Sequence, residues 1–433
     1  MTHANELDAT ELVRLTRSGA LSVTDIARSV IARVEARDDD VRAYAYFDSD
    51  RVLEQARALD ANPVKGPLHG VPIGVKDVIA TFDMPTQYNT ARYEGCRPGV
   101  DAACVDILRM AGALIVGKTV TTEFAATARG GPTRNPRALD CTPGGSSSGS
   151  GAAVADFQAT IALGTQTGGS TIRPASFCGI YGWKPTWNSI SREGLKMYAA
   201  TLDTLGLYAR SADDLALLAE LYEIDALEGA AIEGLAGTRI GICRSPVWPK
   251  AQAATQSALS QAIARLQGAG ATVTDLTLPE AFDRLPDAHR KIMRREGRSA
   301  FLNEYRATPE IHEEFKVTVE NRDNFSVADT RAAYRLADQC RGAFDDIASD
   351  YDIILTPSTT GEAPLGHAMT GDASFNSMWT LLQVPVVNVP GFSADNGRPV
   401  GLSLTARRYQ DRKVIAYARL AGALFAERQS QAA

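Results

Sequence analysis

The chain reads as an α/β protein built as one large domain, and three observations predict this. Short apolar runs of strand length alternate with stretches of helical spacing along most of the 433 residues. Glycine- and serine-rich turns punctuate the changes from run to helix. Neither an internal repeat, a low-complexity tract nor an interdomain linker interrupts the pattern, so the whole length 1–433 is expected to share one fold.

The elements follow in order. Val23, Ile26, Ala27, Val30, Ile31 and Val34 recur at helical spacing behind a Ser22/Asp25 capping pattern, and residues 1–60 are expected to form a helical N-terminal segment. Val71, Ile73 and Val75 then alternate like a strand, residues 101–111 read as a helix and 113–116 as a strand, opening a core at 61–237. Within it, a helix is expected from Ala152, a buried strand at 161–163, and a short element opening at Arg173 and Pro174. From 238 to 345 a second rhythm predicts strand 239–243, a helix through Leu259, Ile263 and Leu266, strand 271–278, and a charged, mostly helical stretch over 284–345. The last part, 346–433, gives strands at 352–355, 386–389 and 400–404 and a helix from Asp411 to about Arg428.

Composition narrows the function classes. A hydrophobic fraction of 45% and a charged fraction of 22% are ordinary for a packed domain. The net charge of -6, with no dense Lys/Arg cluster, argues against a nucleic-acid partner; the basic run 290–298 reads as a solvated helix face. Six cysteines without a C-x-x-C pair argue against a zinc site and a disulfide framework, and fit a reducing cytoplasm. The polar start MTHANELDATEL carries no secretory pattern and no run approaches membrane-spanning length, so no membrane partner is expected. Five scattered histidines give no H-E-x-x-H; His69 is read as a structural donor in a turn, with a catalytic role as the alternative.

Chemistry concentrates in two Gly/Ser turns separated by one helix and one strand. The first spans 144–151; the second is Gly164-Thr165-Gln166-Thr167-Gly168-Gly169-Ser170. A strand ending in glycines brings backbone N–H groups close to a bound atom, and a serine there presents its hydroxyl beside them, which suits attack on a carbonyl. A serine needs a base, and Lys76 at the end of the Val71–Val75 alternation is the candidate. A basic lysine must be buried or crowded by charge to lose its proton; the alternative is a lysine capping a strand end at the surface.

Together with GVPIGVKD at 70–77, GPTRNP at 131–136, TPGGSSSGS at 142–150, GTQTGGSTIRPASFCG at 164–179, GWKPT at 182–186 and PVGLSL at 399–404, these turns make the chain resemble the amidase signature family over most of its length. The resemblance implies a mixed central β-sheet covered by helices on both faces. It also implies a Ser-cisSer-Lys triad: Ser170 as acylated nucleophile, Ser146 as bridging serine behind a cis peptide, Lys76 as base. Thr167, Gly168 and Gly169, with the Ser170 N–H, would form the oxyanion hole. Ser147 and Ser148 would support the relay or simply shape the turn. Gln166, where many members have Asp, and Arg173, three residues after the nucleophile, look like the branch containing malonamidase. Arg173 would then pair with a substrate carboxylate or else tie the turn to the protein. Arg129 and Gln166 join it as substrate-binding candidates, in a pocket expected from residues 83–99, 129–131, the helical layer and 375–383.

The function so implied is hydrolysis of a small amide, carboxylate-bearing in the malonamidase-like case, to an acid and ammonia, without cofactor or metal. A homodimer is the candidate assembly. The alternative is the catalytic subunit of a multi-protein assembly, an amidotransferase or a ureide hydrolase. A phosphate-binding module is disfavoured because no Gly-Lys-Ser/Thr follows the glycines.

Overall fold

The computed structural model describes residues 3–224, 232–308 and 310–426. Among them, eleven strands form one sheet: β1 (Tyr44–Phe47), β2 (Pro72–Lys76), β3 (Leu114–Thr119), β4 (Ile161–Gln166), β5 (Tyr181–Lys184), β6 (Thr204–Ala209), β7 (Arg239–Ile242), β8 (Thr272–Asp275), β9 (Ile353–Pro357), β10 (Val386–Ser393) and β11 (Pro399–Thr405). Their spatial order is β1-β3-β2-β4-β6-β5-β10-β11-β9-β7-β8. β2 runs parallel to both β3 and β4, and β7 runs parallel to β8 and β9. The other neighbours pair antiparallel, so the sheet is mixed and all four sequence segments share it.

Helices cover both faces, and the strands record this residue by residue, because successive side chains point to opposite sides. In β9, Ile353 and Leu355 pack into the largest hydrophobic cluster while Ile354 packs into a second one. In β3, Ile115 joins the largest cluster, whereas Leu114 and Val116 meet Val23, Ala27, Val30 and Val52 of the N-terminal helices. The second cluster is built by the helices Leu285–Ala300, Glu313–Val319 and Val327–Ala348 against the helix Ser374–Leu381.

Three strands escape the sequence pattern. β1 interrupts the segment expected to be helical, as a four-residue edge strand pairing antiparallel with β3. β5 carries a glycine and a buried lysine in four residues, and neither suggests a strand. β6 reads TLGLYA and lies between β4 and β5. The helix expected from Ala152 instead begins at Ser148 and ends at Ala155, so the first glycine-serine run is itself the opening turn of a helix. The C-terminal helix is Asp411–Ala426; the remainder of its expected span lies outside the described residues.

The parallel register positions the site. Ile73, Gly74 and Val75 of β2 face Ile161, Ala162 and Leu163 of β4, so both strands deliver their carboxyl ends to one edge. The helix Ser148–Ala155 lies in the crossover between β3 and β4, and its first turn arrives at that same edge. There the helix presses directly on backbone: a methyl group added at Gly149 would lie 2.2 Å from the Ala43 carbonyl oxygen and 2.3 Å from the Val120 nitrogen. Neither can yield as a side chain could. Gly149→Ala is therefore expected to destabilise the fold by about 1–3 kcal/mol or more, read as a lowered midpoint of thermal or urea unfolding.

Candidate active site

Lys76 ends β2 and is fully buried. Its Nζ lies 2.8 Å from Ser146 Oγ and 2.6 Å from Thr165 Oγ1. Burial holds its amine well below the usual lysine range, with the Asp203 carboxylate opposing that shift. Two further lysines that the sequence did not single out, Lys118 and Lys184, are also fully buried. Their partners differ in kind. Lys118 donates to the carbonyls of Ile79 and Pro85 and to Thr86 Oγ1, lies 3.4 Å from the Asp77 carboxylate, and is lowered to about 8 by burial. Lys184 donates to the carbonyls of Pro185 and Val384 and is lowered to about 7 by burial. Carbonyl oxygens only accept, so both serve as cross-ties. A hydroxyl both donates and accepts, and Lys76 alone of the three has only hydroxyl partners, one of which can donate to a neutral amine.

Ser146 follows a cis Gly145-Ser146 peptide, is almost completely buried, and accepts the Thr122 N–H on its carbonyl at 3.2 Å. Ser170 sits in the turn between β4 and the helix Ile172–Cys178 and is 9% exposed. The two serine loops are joined through backbone, Ser147 N–H to the Ser170 carbonyl at 3.4 Å, while their hydroxyls make no direct hydrogen bond.

The turn 167–170 has an uneven hydrogen-bond pattern. Every carbonyl is taken: Thr167 by His289 Nε2 at 2.8 Å, Gly168 by Thr380 Oγ1 at 2.8 Å, Gly169 by the Arg173 N–H at 3.0 Å, and Ser170 by Ser147 N–H and the Tyr208 hydroxyl at 3.1 Å. None of its four N–H groups finds an acceptor among the described residues. Adjacent N–H groups without a protein acceptor, in a turn open to solvent at Gly168, can receive negative charge. Thr167 is held a second time, its hydroxyl 2.5 Å from the Asp203 carboxylate, which burial raises to about 6.

The substrate-binding candidates fare differently. Gln166 is fully buried, its Oε1 accepting the N–H groups of Thr171 and Ile172 at 2.9 and 3.1 Å and its Nε2 donating to Thr380 Oγ1 at 3.1 Å. Both ends of the amide are engaged by protein, so Gln166 braces the turn. Arg173 likewise donates to the carbonyls of Gly371 and Gly145 at 2.7 and 2.6 Å and to Thr370 Oγ1 at 3.1 Å. That is the tie anticipated as the alternative to carboxylate binding. Burial lowers its guanidinium to about 10. Arg129 is exposed, in a bridge with Met369, with Glu123 within its electrostatic reach.

Ser147 exchanges hydrogen bonds with the Thr165 backbone at 3.2 Å, and Ser148 donates to the Val120 carbonyl, so both shape the turn. His69 packs against Thr16 and Gly112 before β2, at the opposite end of the strand from Lys76, which leaves it structural. Thr165, Asp203, Tyr208, His289 and Thr380 were not singled out; each reaches the site from a different element, and no local spacing marks any of them. All six cysteines are free, and no group of metal-ligating side chains occurs among the described residues. No described helix is long and apolar enough to cross a membrane.

The family model described as Amidase matches residues 25–415. A glutamyl-tRNA(Gln) amidotransferase subunit from Symbiobacterium thermophilum is 34% identical, over 94% of this chain and 95% of that protein. Among solved structures, native peptide amidase from Stenotrophomonas maltophilia superposes with a TM-score of 0.80 at 27% identity, covering 99% of this chain and 97% of that one. A structure described as a vestigial protein complex revealing the evolutionary origins of an s-triazine catabolic enzyme superposes with a TM-score of 0.85 at 27% identity, covering 98% and 99%. The chain belongs to the amidase family and is an amidase-type enzyme acting on C–N bonds.

The contrast between lysines can be measured. Lys76→Met is expected to cut turnover by about 10²–10⁴-fold, the usual worth of a positioned base. Its effect on stability at pH 7 should stay below about 2 kcal/mol, because two hydroxyls lose a partner while a desolvated amine is removed. Lys118→Met should cost about 3–5 kcal/mol, since it strands the buried Asp77 carboxylate. The Lys76 amine also sets a pH dependence. Its folded pKa lies below that of the unfolded chain, which therefore holds more protons between the two values, so stability rises with pH through that window. Lys118 and Lys184, also lowered by burial, feed the same slope, so chemical unfolding followed against pH should show it in the wild type and a shallower one in Lys76→Met.

Proposed function

We propose that the chain cleaves a primary carboxamide through an acyl-enzyme on Ser170, as the amide-cleaving component of a larger assembly of the amidotransferase kind. The observation that carries the chemistry is the turn 167–170, whose carbonyls are all engaged and whose N–H groups find no acceptor among the described residues, next to a buried amine hydrogen-bonded there only to hydroxyls.

In this reading Ser170 Oγ attacks the amide carbon, and the carbonyl oxygen becomes an oxyanion received by the N–H groups of Thr167, Gly168, Gly169 and Ser170. The Ser170 proton passes to Ser146 as Ser146 gives its own to neutral Lys76, along the existing 2.8 Å contact. The return of a proton by the same path lets ammonia leave. Water then repeats the sequence on the ester, releasing the acid and restoring the serine. Ser146 and Ser170 make no direct hydrogen bond, so in this reading their hydroxyls close to bonding distance as the serine proton is passed.

The assembly part rests on the relatives. The Symbiobacterium protein is named as one subunit of an amidotransferase, and one structural neighbour is described as part of a complex. The first expectation, a free-standing hydrolase of carboxylated amides, drew on Arg173, whose guanidinium is now engaged by Gly145, Thr370 and Gly371. The names point to assembly with other chains rather than with a second copy of this one.

Ammonia release by the purified chain, assayed on glutamine and on simple, aryl and carboxylated primary amides, separates these readings. Release is expected to be slow for the isolated chain and lost by about 10⁴-fold or more in Ser170→Ala. Rapid turnover of a small amide by the chain alone would reject the assembly reading, and an active Ser170→Ala would reject the chemistry. Arg173→Ala is expected to lower turnover of neutral and carboxylated amides alike; a loss confined to carboxylated amides would restore the guanidinium as a substrate contact.

A further inference from the structure

We propose that His289, on the peripheral helix Leu285–Ala300, is the positioning residue that aims the Gly168 N–H of the oxyanion pocket; this rests on the amide-cleaving reading of Ser170. The argument starts from the peptide group. In a planar trans peptide the C=O of one residue and the N–H of the next point in opposite directions. Whatever fixes the Thr167 carbonyl therefore also fixes the direction of the Gly168 N–H.

That carbonyl lies 2.8 Å from His289 Nε2. A carbonyl only accepts, so Nε2 carries the hydrogen and the ring is bound in that tautomer. The helix buries His289 to 5% exposure, which fixes the ring and lowers its proton affinity, leaving it neutral. The ring edge also lies beside the glycine it would aim, 3.8 Å from where a Gly168 Cβ would stand.

No other group among the described residues reaches the Thr167 carbonyl. Its neighbours are fixed independently, Gly168 by Thr380 and Gly169 by the Arg173 backbone, which in the same way direct the N–H groups of Gly169 and Ser170. Asp203 holds the Thr167 hydroxyl but leaves its peptide plane free to rotate. A glycine at 168 gives little resistance to such a rotation. Without the histidine, the peptide between Thr167 and Gly168 would be free to turn its N–H out of the pocket.

The test uses a generic fluorophosphonate, so that the natural amide need not be known. Ser170 Oγ forms a bond to phosphorus, fluoride leaves with the P–F electrons, the serine proton passes toward Lys76, and the phosphoryl oxygen takes up the charge the pocket receives. The maximal rate and the half-saturating concentration of labelling are followed by intact mass for wild type, His289→Phe and His289→Gln. Gln can offer an N–H near the position of Nε2; Phe cannot.

His289→Phe is expected to lower the maximal rate by at least about tenfold, short of the 10²–10³ lost when a donor is removed outright, with half-saturation unchanged. His289→Gln should recover most of that rate. A wild-type rate in His289→Phe would overturn the inference, as would an equal loss in Phe and Gln or a change confined to half-saturation. If His289→Phe does not fold, His289→Met, flexible and also without a donor, takes its place under the same criteria. Failure of the wild type to label at Ser170 is a separate result: it removes the acyl-enzyme reading and overturns the inference with it.

Discussion

A lysine amine sealed from water among hydroxyl groups is the constraint on which the other features of the site depend. Burying a cation is costly unless its surroundings replace the lost hydration, and three buried lysines in this chain meet that demand in two ways. Lys118 and Lys184 are surrounded by carbonyls, and Lys118 also by a carboxylate, which favour the protonated form. Lys76 is offered only Ser146 and Thr165. Its partners do not penalise loss of the proton, and burial favours that loss. The parallel pairing of β2 with β4 makes this arrangement available, because it brings the end of one strand level with Thr165 of the other.

The same edge carries a second asymmetry, in the turn after β4. Backbone groups are strong hydrogen-bonding partners, and a buried turn normally satisfies donors and acceptors alike. Here, among the described residues, only the acceptors are satisfied, by a histidine, a threonine, a tyrosine and two backbone N–H groups. Because each carbonyl is coupled to the following N–H through its peptide plane, the outer donors fix the directions of the Gly168, Gly169 and Ser170 N–H groups. The pocket's electrostatics are set from behind, by residues that need not touch a substrate.

The strands with clean alternation and the helices with clean spacing were legible in the sequence, as were the two serine turns and the lysine at the end of β2. Each depends on neighbours in the chain. β5 was not legible, because a strand of Tyr, Gly, Trp and Lys becomes a strand through its pairing with β6 and β10. His289, Asp203 and Thr380 were not legible either, since their roles arise from contacts 122, 36 and 212 residues away in sequence. Arg173 was legible as important but not as to its role: a guanidinium suits a carboxylate and a set of carbonyls equally well, and only the fold supplies the carbonyls.

Gln166 shows how one substitution within a motif acquires a physical reason. An acidic side chain at this position could accept the N–H groups of Thr171 and Ile172, as the Gln166 oxygen does, but it could not donate. The amide donates onward to Thr380, whose hydroxyl in turn lies nearest the Gly168 carbonyl. The result is a directed chain from the start of the helix Ile172–Cys178, through the Gln166 amide and the Thr380 hydroxyl, to the peptide that presents the Gly169 N–H. Bonds in such a chain polarise one another, and each link restricts the rotation of the next. An acid here would require the threonine hydroxyl to turn toward the carboxylate and release Gly168. The glutamine therefore belongs with the threonine at 380, and the two are best understood as one device for holding the second peptide of the turn, as His289 holds the first.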